Sequence, residues 1–195
     1  NGNAAFSLTP TCDGATANIT GDAGGVFSFN PAPTDTAVID AGTGTITNGV
    51  SGTSYTVEYT TGGSCSATQS ETVTVIITDD PSFTLTPTCD GATANITGDA
   101  GGTFIFNPAA TDAAVIDTAT GTITNGTPSA TYTIEYTTAG ACPDTSTQNV
   151  TVLPLEDSTF TMSATCDGGT ATITGDTGGV FTFNPIPTDT AVIDG

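Results

Sequence analysis

The segment FSLTPTCDGATANITGDAGG beginning at Phe6 returns as FTLTPTCDGATANITGDAGG at Phe83 and as FTMSATCDGGTATITGDTGG at Phe160, so the chain repeats itself every 77 residues. AVID keeps the same register, at Ala37–Asp40, Ala114–Asp117 and Ala191–Asp194. A period this long, without insertions, implies one folding unit per repeat rather than a continuous solenoid, whose period would be roughly 20–30 residues. The expected organisation is the end of a preceding linker at 1–5, complete units at 6–82 and 83–159, and the N-terminal half of a third unit at 160–195. A 77-residue unit lies at the small end of what buries its own core, so each should gain from a staple or a neighbour.

Within a unit, apolar residues recur at every second position, as in Phe104/Phe106, Tyr132/Ile134/Tyr136 and Val150/Val152, with Thr, Ser, Glu or Asn between them. That is strand periodicity, and Thr, Val, Ile, Tyr and Phe suit a half-buried pleated surface. Turn-forming residues separate the runs at Cys89-Asp90-Gly91, Gly98–Gly102, Asn107-Pro108, Asn125-Gly126 and Ala139–Ala141. The spacing predicts strands near 83–88, 92–97, 103–107, 113–117, 121–125, 131–138 and 146–153. The fold class expected is therefore all-β: tandem seven-stranded immunoglobulin-like, or fibronectin III-like, β-sandwiches. The connections Thr78–Ser82 and Leu155–Thr159 are too short for free tumbling, which predicts a semi-rigid rod.

Composition narrows the chemistry. The 195 residues hold no Lys, Arg or His against 20 Asp and Glu, for a formal net charge of −20. Such a chain has no electrostatic footprint for nucleic acid and no polybasic attraction to anionic lipid. It lacks the commonest general bases and the Schiff-base nucleophile, and no apolar run is long enough for a helical membrane span. Paired carboxylates can serve glycosidases, but here the acids sit in turns and recur in every unit, whereas a catalytic site is expected once. No enzymatic activity is expected.

Each complete unit has one Cys after its first strand and one in its last hairpin turn: Cys12 and Cys65, then Cys89 and Cys142, with Cys166 of the first type. Regular pairs in an exported chain read as a disulfide framework. In a sandwich whose successive strands all reverse, the two turns lie at opposite poles, separated by a strand of ~20 Å, while a disulfide tolerates a Cα separation of only ~7 Å. Two pairings stay open: Cys12 to Cys142, between repeats, or Cys12 to Cys65 and Cys89 to Cys142 within them, which needs a shifted first strand. The pole argument favours the former, and Cys166 would pair outside the chain. The same argument gathers Asp13, Asp79, Asp80 and Asp99 at the first junction, and Asp90, Glu156, Asp157 and Asp176 at the second, as candidate calcium ligands. The plain alternative is solvated turn residues. Asn18, Asn95, Asn125 and Asn149 open N-x-Thr sequons, which are common by chance in Thr-rich sequence.

The strings TPTCDGATANITGDAGGTFIFNP, AVIDTATGTITNG and TYTIEYTTAGACP resemble the immunoglobulin-like repeats of giant cell-surface proteins in gliding and marine Bacteroidota. The resemblance covers the whole chain. It implies export by the type IX system, an extracellular or cell-surface location, and service as an adhesive stalk or surface filament. Partners would then be neighbouring repeats, other copies in a filament, and a surface or glycan ligand at a distal tip. It also implies O-glycosylation at Asp-Ser/Thr sites, for which Thr36, Thr118, Ser158 and Thr190 stand in suitable contexts. Such repeats also act as spacers in secreted polysaccharide-degrading enzymes. A glycan- or ice-binding module is a third reading, which would need an exposed aromatic row or a flat, regular Thr array.

Overall fold

The computed structural model describes residues 2–194. Residue 1 of the expected leading linker and residue 195 of the expected third unit lie outside the described residues. The chain divides into two compact units, Asn1–Val152 and Leu153–Gly195. The two repeats expected at 6–82 and 83–159 thus share the first unit up to Val152, each around its own core.

The first repeat carries β1 (Phe6–Pro10), β2 (Ala15–Ile19), β3 (Val26–Phe29), β4 (Val38–Ile39), β5 (Ile46–Thr47), β6 (Ser54–Thr60) and β7 (Thr68–Thr74). They form two antiparallel sheets, β1-β2-β5-β4 and β3-β6-β7. This order, first, second, fifth and fourth strands against third, sixth and seventh, is that of a constant-type immunoglobulin sandwich. The second repeat reproduces it with β8 (Phe83–Pro87), β9 (Ala92–Ile96), β10 (Thr103–Phe106), β11 (Val115–Ile116), β12 (Ile123–Thr124), β13 (Thr131–Thr137) and β14 (Thr145–Thr151), in sheets β8-β9-β12-β11 and β10-β13-β14. The described residues contain no helix.

Alternation decides which side chains meet. On β13, Tyr132, Ile134 and Tyr136 are buried, while Thr131, Thr133, Glu135 and Thr137 point outward. The core centres on three rings: Phe83 lies edge-on to Phe104 at 5.3 Å and to Tyr136 at 5.9 Å. Phe6, Phe27 and Tyr59 repeat the arrangement at 5.4 and 6.0 Å. Asn48 and Asn125 adopt φ of 54° and 56°, a region Asn tolerates better than most residues, which lets the chain reverse at the predicted Asn-Gly turns.

In the second unit, β15 (Phe160–Thr165) pairs with β16 (Gly168–Ile173) in the register of β8 with β9, Phe160 opposite Ile173 as Phe83 is opposite Ile96. Residues 180–183, the counterpart of β10, form no strand. In the first unit β10 is held by β13, and no strand of that type stands within 153–194.

Candidate functional site at the junction of the first two repeats

Cys12 sits in the β1–β2 turn and Cys142 in the β13–β14 turn, and the two form a disulfide with a Cα separation of 5.4 Å, across 130 residues of sequence. The intra-repeat pairings weighed from sequence, Cys12 to Cys65 and Cys89 to Cys142, are not formed. Cys65, Cys89 and Cys166 are free and exposed. The reason is the one strand of length that separates the two turns of a single sandwich, whereas the junction sets the β1–β2 turn of one repeat against the β13–β14 turn of the next. Cys142 is 2% exposed, but its counterpart Cys65 is open to solvent.

The connection itself is hydrogen-bonded to both repeats. Toward the first, the Ile76 amide donates to the Thr11 carbonyl at 3.1 Å and the Thr78 amide to Ser51 Oγ at 2.8 Å. Toward the second, the Asp79 amide donates to the Cys142 carbonyl at 3.0 Å, Asp79 Oδ2 accepts the Gly140 amide at 2.7 Å, and Ser146 Oγ donates to the Pro81 carbonyl at 2.6 Å.

At the first junction the acidic residues do not assemble as calcium ligands: among the described residues no group of three or more His, Cys, Asp or Glu is placed to hold a metal. Their oxygens serve main-chain donors instead. Asp13 Oδ1 accepts the Asn48 amide at 3.1 Å. The Asp80 amide donates to Asp99 Oδ2 at 2.8 Å, and the Asp99 amide returns to the Asp80 carbonyl at 2.7 Å. Asp157 and Asp176 repeat that exchange at 2.7 and 2.6 Å. Asp80 Oδ1 also accepts the Ser82 hydroxyl and amide, which lower its pKa. Asp90 offers its carbonyl to the Gly126 amide at 2.8 Å, and Glu156 is exposed. Asp80–Ser82 and Asp157–Thr159 are Asx turns, whereas Asp13, Asp79 and Asp99 accept main-chain N–H groups 19 or more residues away.

Sequence reasoning missed a second carboxylate. Asp112 Oδ2 accepts Thr127 Oγ1 at 2.6 Å and the buried Tyr132 hydroxyl at 2.5 Å, and Oδ1 accepts the Ala114 amide at 3.1 Å. The Thr127 bond, then Tyr132 and Ala114, holds its pKa at about 2. Asp35 binds Tyr55 at 2.6 Å in the first repeat, and its pKa is lowered by that bond and the Ala37 amide. The available signal was the Asp ahead of the first two AVID strings, which keeps step with a core Tyr 20 residues on.

The expected glycosylation residues Thr36, Thr118, Ser158 and Thr190 are all exposed. On the outward face of β6–β7 the hydroxyls pair with each other, Ser54 with Thr74 at 2.7 Å and Thr56 with Thr72 at 3.0 Å, and β13–β14 repeats this with Thr131 and Thr151 at 2.7 Å. Glu58 and Glu135 interrupt these rows.

No family model matches the chain. No curated protein matches it either. Among solved structures it is similar to the protocadherin gammaB4 extracellular domain, at 20% identity over 78% of this chain and 30% of that one, with a TM-score of 0.32. It is also similar to protocadherin gamma B2 extracellular cadherin domains 3–6, at 16% identity over 79% of this chain and 45% of that one, with a TM-score of 0.29. The chain spans less than half the length of these structures. The immunoglobulin-like assignment rests on the sheet order described above. No helix among the described residues is long and apolar enough to cross a membrane.

Proposed function

We propose that this chain is a stretch of a structural or adhesive stalk, exposed outside the cell, in which consecutive sandwiches are fastened covalently. The observation that carries this reading is the Cys12–Cys142 bond, which joins the first turn of one repeat to the last turn of the next. Under it, Cys65, Cys89 and Cys166 are halves of bonds of the same type, made with repeats on either side. A disulfide ladder belongs in an oxidising compartment. The resemblance to Bacteroidota surface repeats adds type IX export and O-glycosylation at Thr36, Thr118, Ser158 or Thr190 to this reading. No catalytic role is proposed for a chain without Lys, Arg or His. The binding-module reading draws less support, because the outward hydroxyls are bonded across the hairpin rather than presented to a ligand.

Force spectroscopy tests the stalk. Pulled from its ends while oxidised, the chain should keep the 130-residue span between Cys12 and Cys142 locked. At ~3.3–3.6 Å per residue, reduction should release roughly 430–470 Å of additional contour. Equal contour lengths, or a reproducible turnover of polysaccharide by the chain, would overturn the proposal.

A further inference from the structure

The turn after β5 carries Asn48-Gly49, and its counterpart after β12 carries Asn125-Gly126. The local backbone favours both residues. Asn48 and Asn125 stand at φ of 54° and 56°, a region most side chains resist. A Cβ on Gly49 would press on Val75 Cγ2 at 3.0 Å and on the Asp13 carbonyl oxygen at 3.2 Å, and one on Gly126 would meet Val152 and Asp90 at the same distances. Packing against the β1–β2 and β8–β9 turns thus calls for the same dipeptide in both repeats.

Asn-Gly is also the dipeptide in which a peptide nitrogen most readily attacks a side chain, because glycine has no Cβ to hinder the approach. The glycine nitrogen, once deprotonated, bonds to the Asn Cγ, ammonia leaves, and a cyclic succinimide results. Water then opens one of the two ring carbonyls, giving aspartate or, with the chain routed through the side-chain carbon, isoaspartate. Asn48 and Asn125 are exposed, so water and base reach both side-chain amides. The nucleophile is occupied. The Gly49 amide donates to the Asp13 carbonyl and the Gly126 amide to the Asp90 carbonyl, each at 2.8 Å. That bond holds the proton the reaction must remove and fixes the nitrogen in the turn.

The two guards are not equally held. Asp13 follows Cys12, which is tied to Cys142, and its Oδ1 also accepts the Asn48 amide at 3.1 Å. Asp90 follows the free, exposed Cys89. We infer that Asn48 and Asn125 are deamidation sites that react only when the neighbouring cysteine turn releases the glycine amide, with the Cys12–Cys142 bond as the catch at Asn48. Conversion adds a negative charge, and isoaspartate adds a methylene to the backbone of a close-packed turn, so one opening leaves a permanent mark on that repeat.

The test incubates the whole chain at neutral pH in three states: oxidised, reduced and urea-unfolded. Conversion at each Asn is read by fragmentation mass spectrometry, and isoaspartate is counted by enzymatic methyl transfer. In urea both sites should convert at similar rates. In the oxidised native chain both should slow by at least about tenfold, the factor that ~1.4 kcal/mol of opening free energy supplies, and Asn125 should convert faster than Asn48. Reduction should speed Asn48 and leave Asn125 unchanged, and Cys12→Ser should do the same without added thiol. Conversion as fast in the native chain as in urea would overturn the gate. So would an equal rise at both sites on reduction, which would trace the reaction to global unfolding. An unchanged Asn48 in both the reduced chain and Cys12→Ser would remove the disulfide as the catch, and no conversion in urea would overturn the sites themselves.

Discussion

The Asp79 amide donates to the carbonyl oxygen of Cys142 at 3.0 Å, so the residue that closes the disulfide also anchors the strand connection leading into its own repeat. The covalent and hydrogen-bonded halves of the junction meet at one turn.

Breaking the disulfide should therefore cost the first unit more than removing any other thiol. Cys12→Ser is expected to destabilise it by ~2–5 kcal/mol in denaturant unfolding, while Cys65→Ser and Cys89→Ser change little. Thiol titration of the unfolded chain should count three groups before reduction and five after. Peptide mapping with an acid-directed protease should recover Cys12 joined to Cys142, since trypsin has no Lys or Arg to cleave.

Acid should weaken the second repeat through Asp112. Its folded pKa, about 2, lies below the ordinary carboxylate range because Thr127, Tyr132 and the Ala114 amide donate to the charged form. A depressed folded value gives stability that is present above the unfolded pKa and lost as pH falls toward the folded one. The window runs from roughly pH 4 down to pH 2. Melting of Asp112→Asn should trail the unmodified chain at pH 7 and converge with it near pH 2; a gap independent of pH would remove this role.

Tyr136→Phe should destabilise the second repeat by about 1–3 kcal/mol, because the Gly102 amide and Asp99 carbonyl lose a partner inside a closed core. Tyr59→Phe should cost a similar amount in the first repeat. Urea unfolding with unchanged m-values checks both. A loss far larger than this would indicate ring repacking instead.

Calcium should act on this chain only as an ion among others. The carboxylates at the first junction already accept N–H groups, and self-repulsion from a net charge of −20 is relieved by any salt within a Debye length of ~8–10 Å. Melting temperatures in millimolar calcium and in sodium chloride of matched ionic strength should agree. A selective rise with calcium would restore a cation site.

Much of the fold was legible because strand periodicity is a local property. Alternation at Tyr132/Ile134/Tyr136 fixes one inward face, turn residues at Asn125-Gly126 fix a reversal, and the 77-residue offset multiplies both. The strand count also placed Cys12 and Cys142 beside turns at definable poles, leaving two pairings open. Which pairing forms depends on how one sandwich meets the next, a relation between residues 130 apart that no short-range pattern encodes. Side-chain direction in the turns was equally hidden. Asp79, Asp80 and Asp99 turn their oxygens toward the amides of Gly140, Ser82 and Asp80, and of these only Ser82 is a near neighbour in sequence, so the other two partners are set by tertiary structure. The Asp112–Tyr132 bond belongs to the same class: the sequence determines which residues recur, and only tertiary packing determines which of them find their partners.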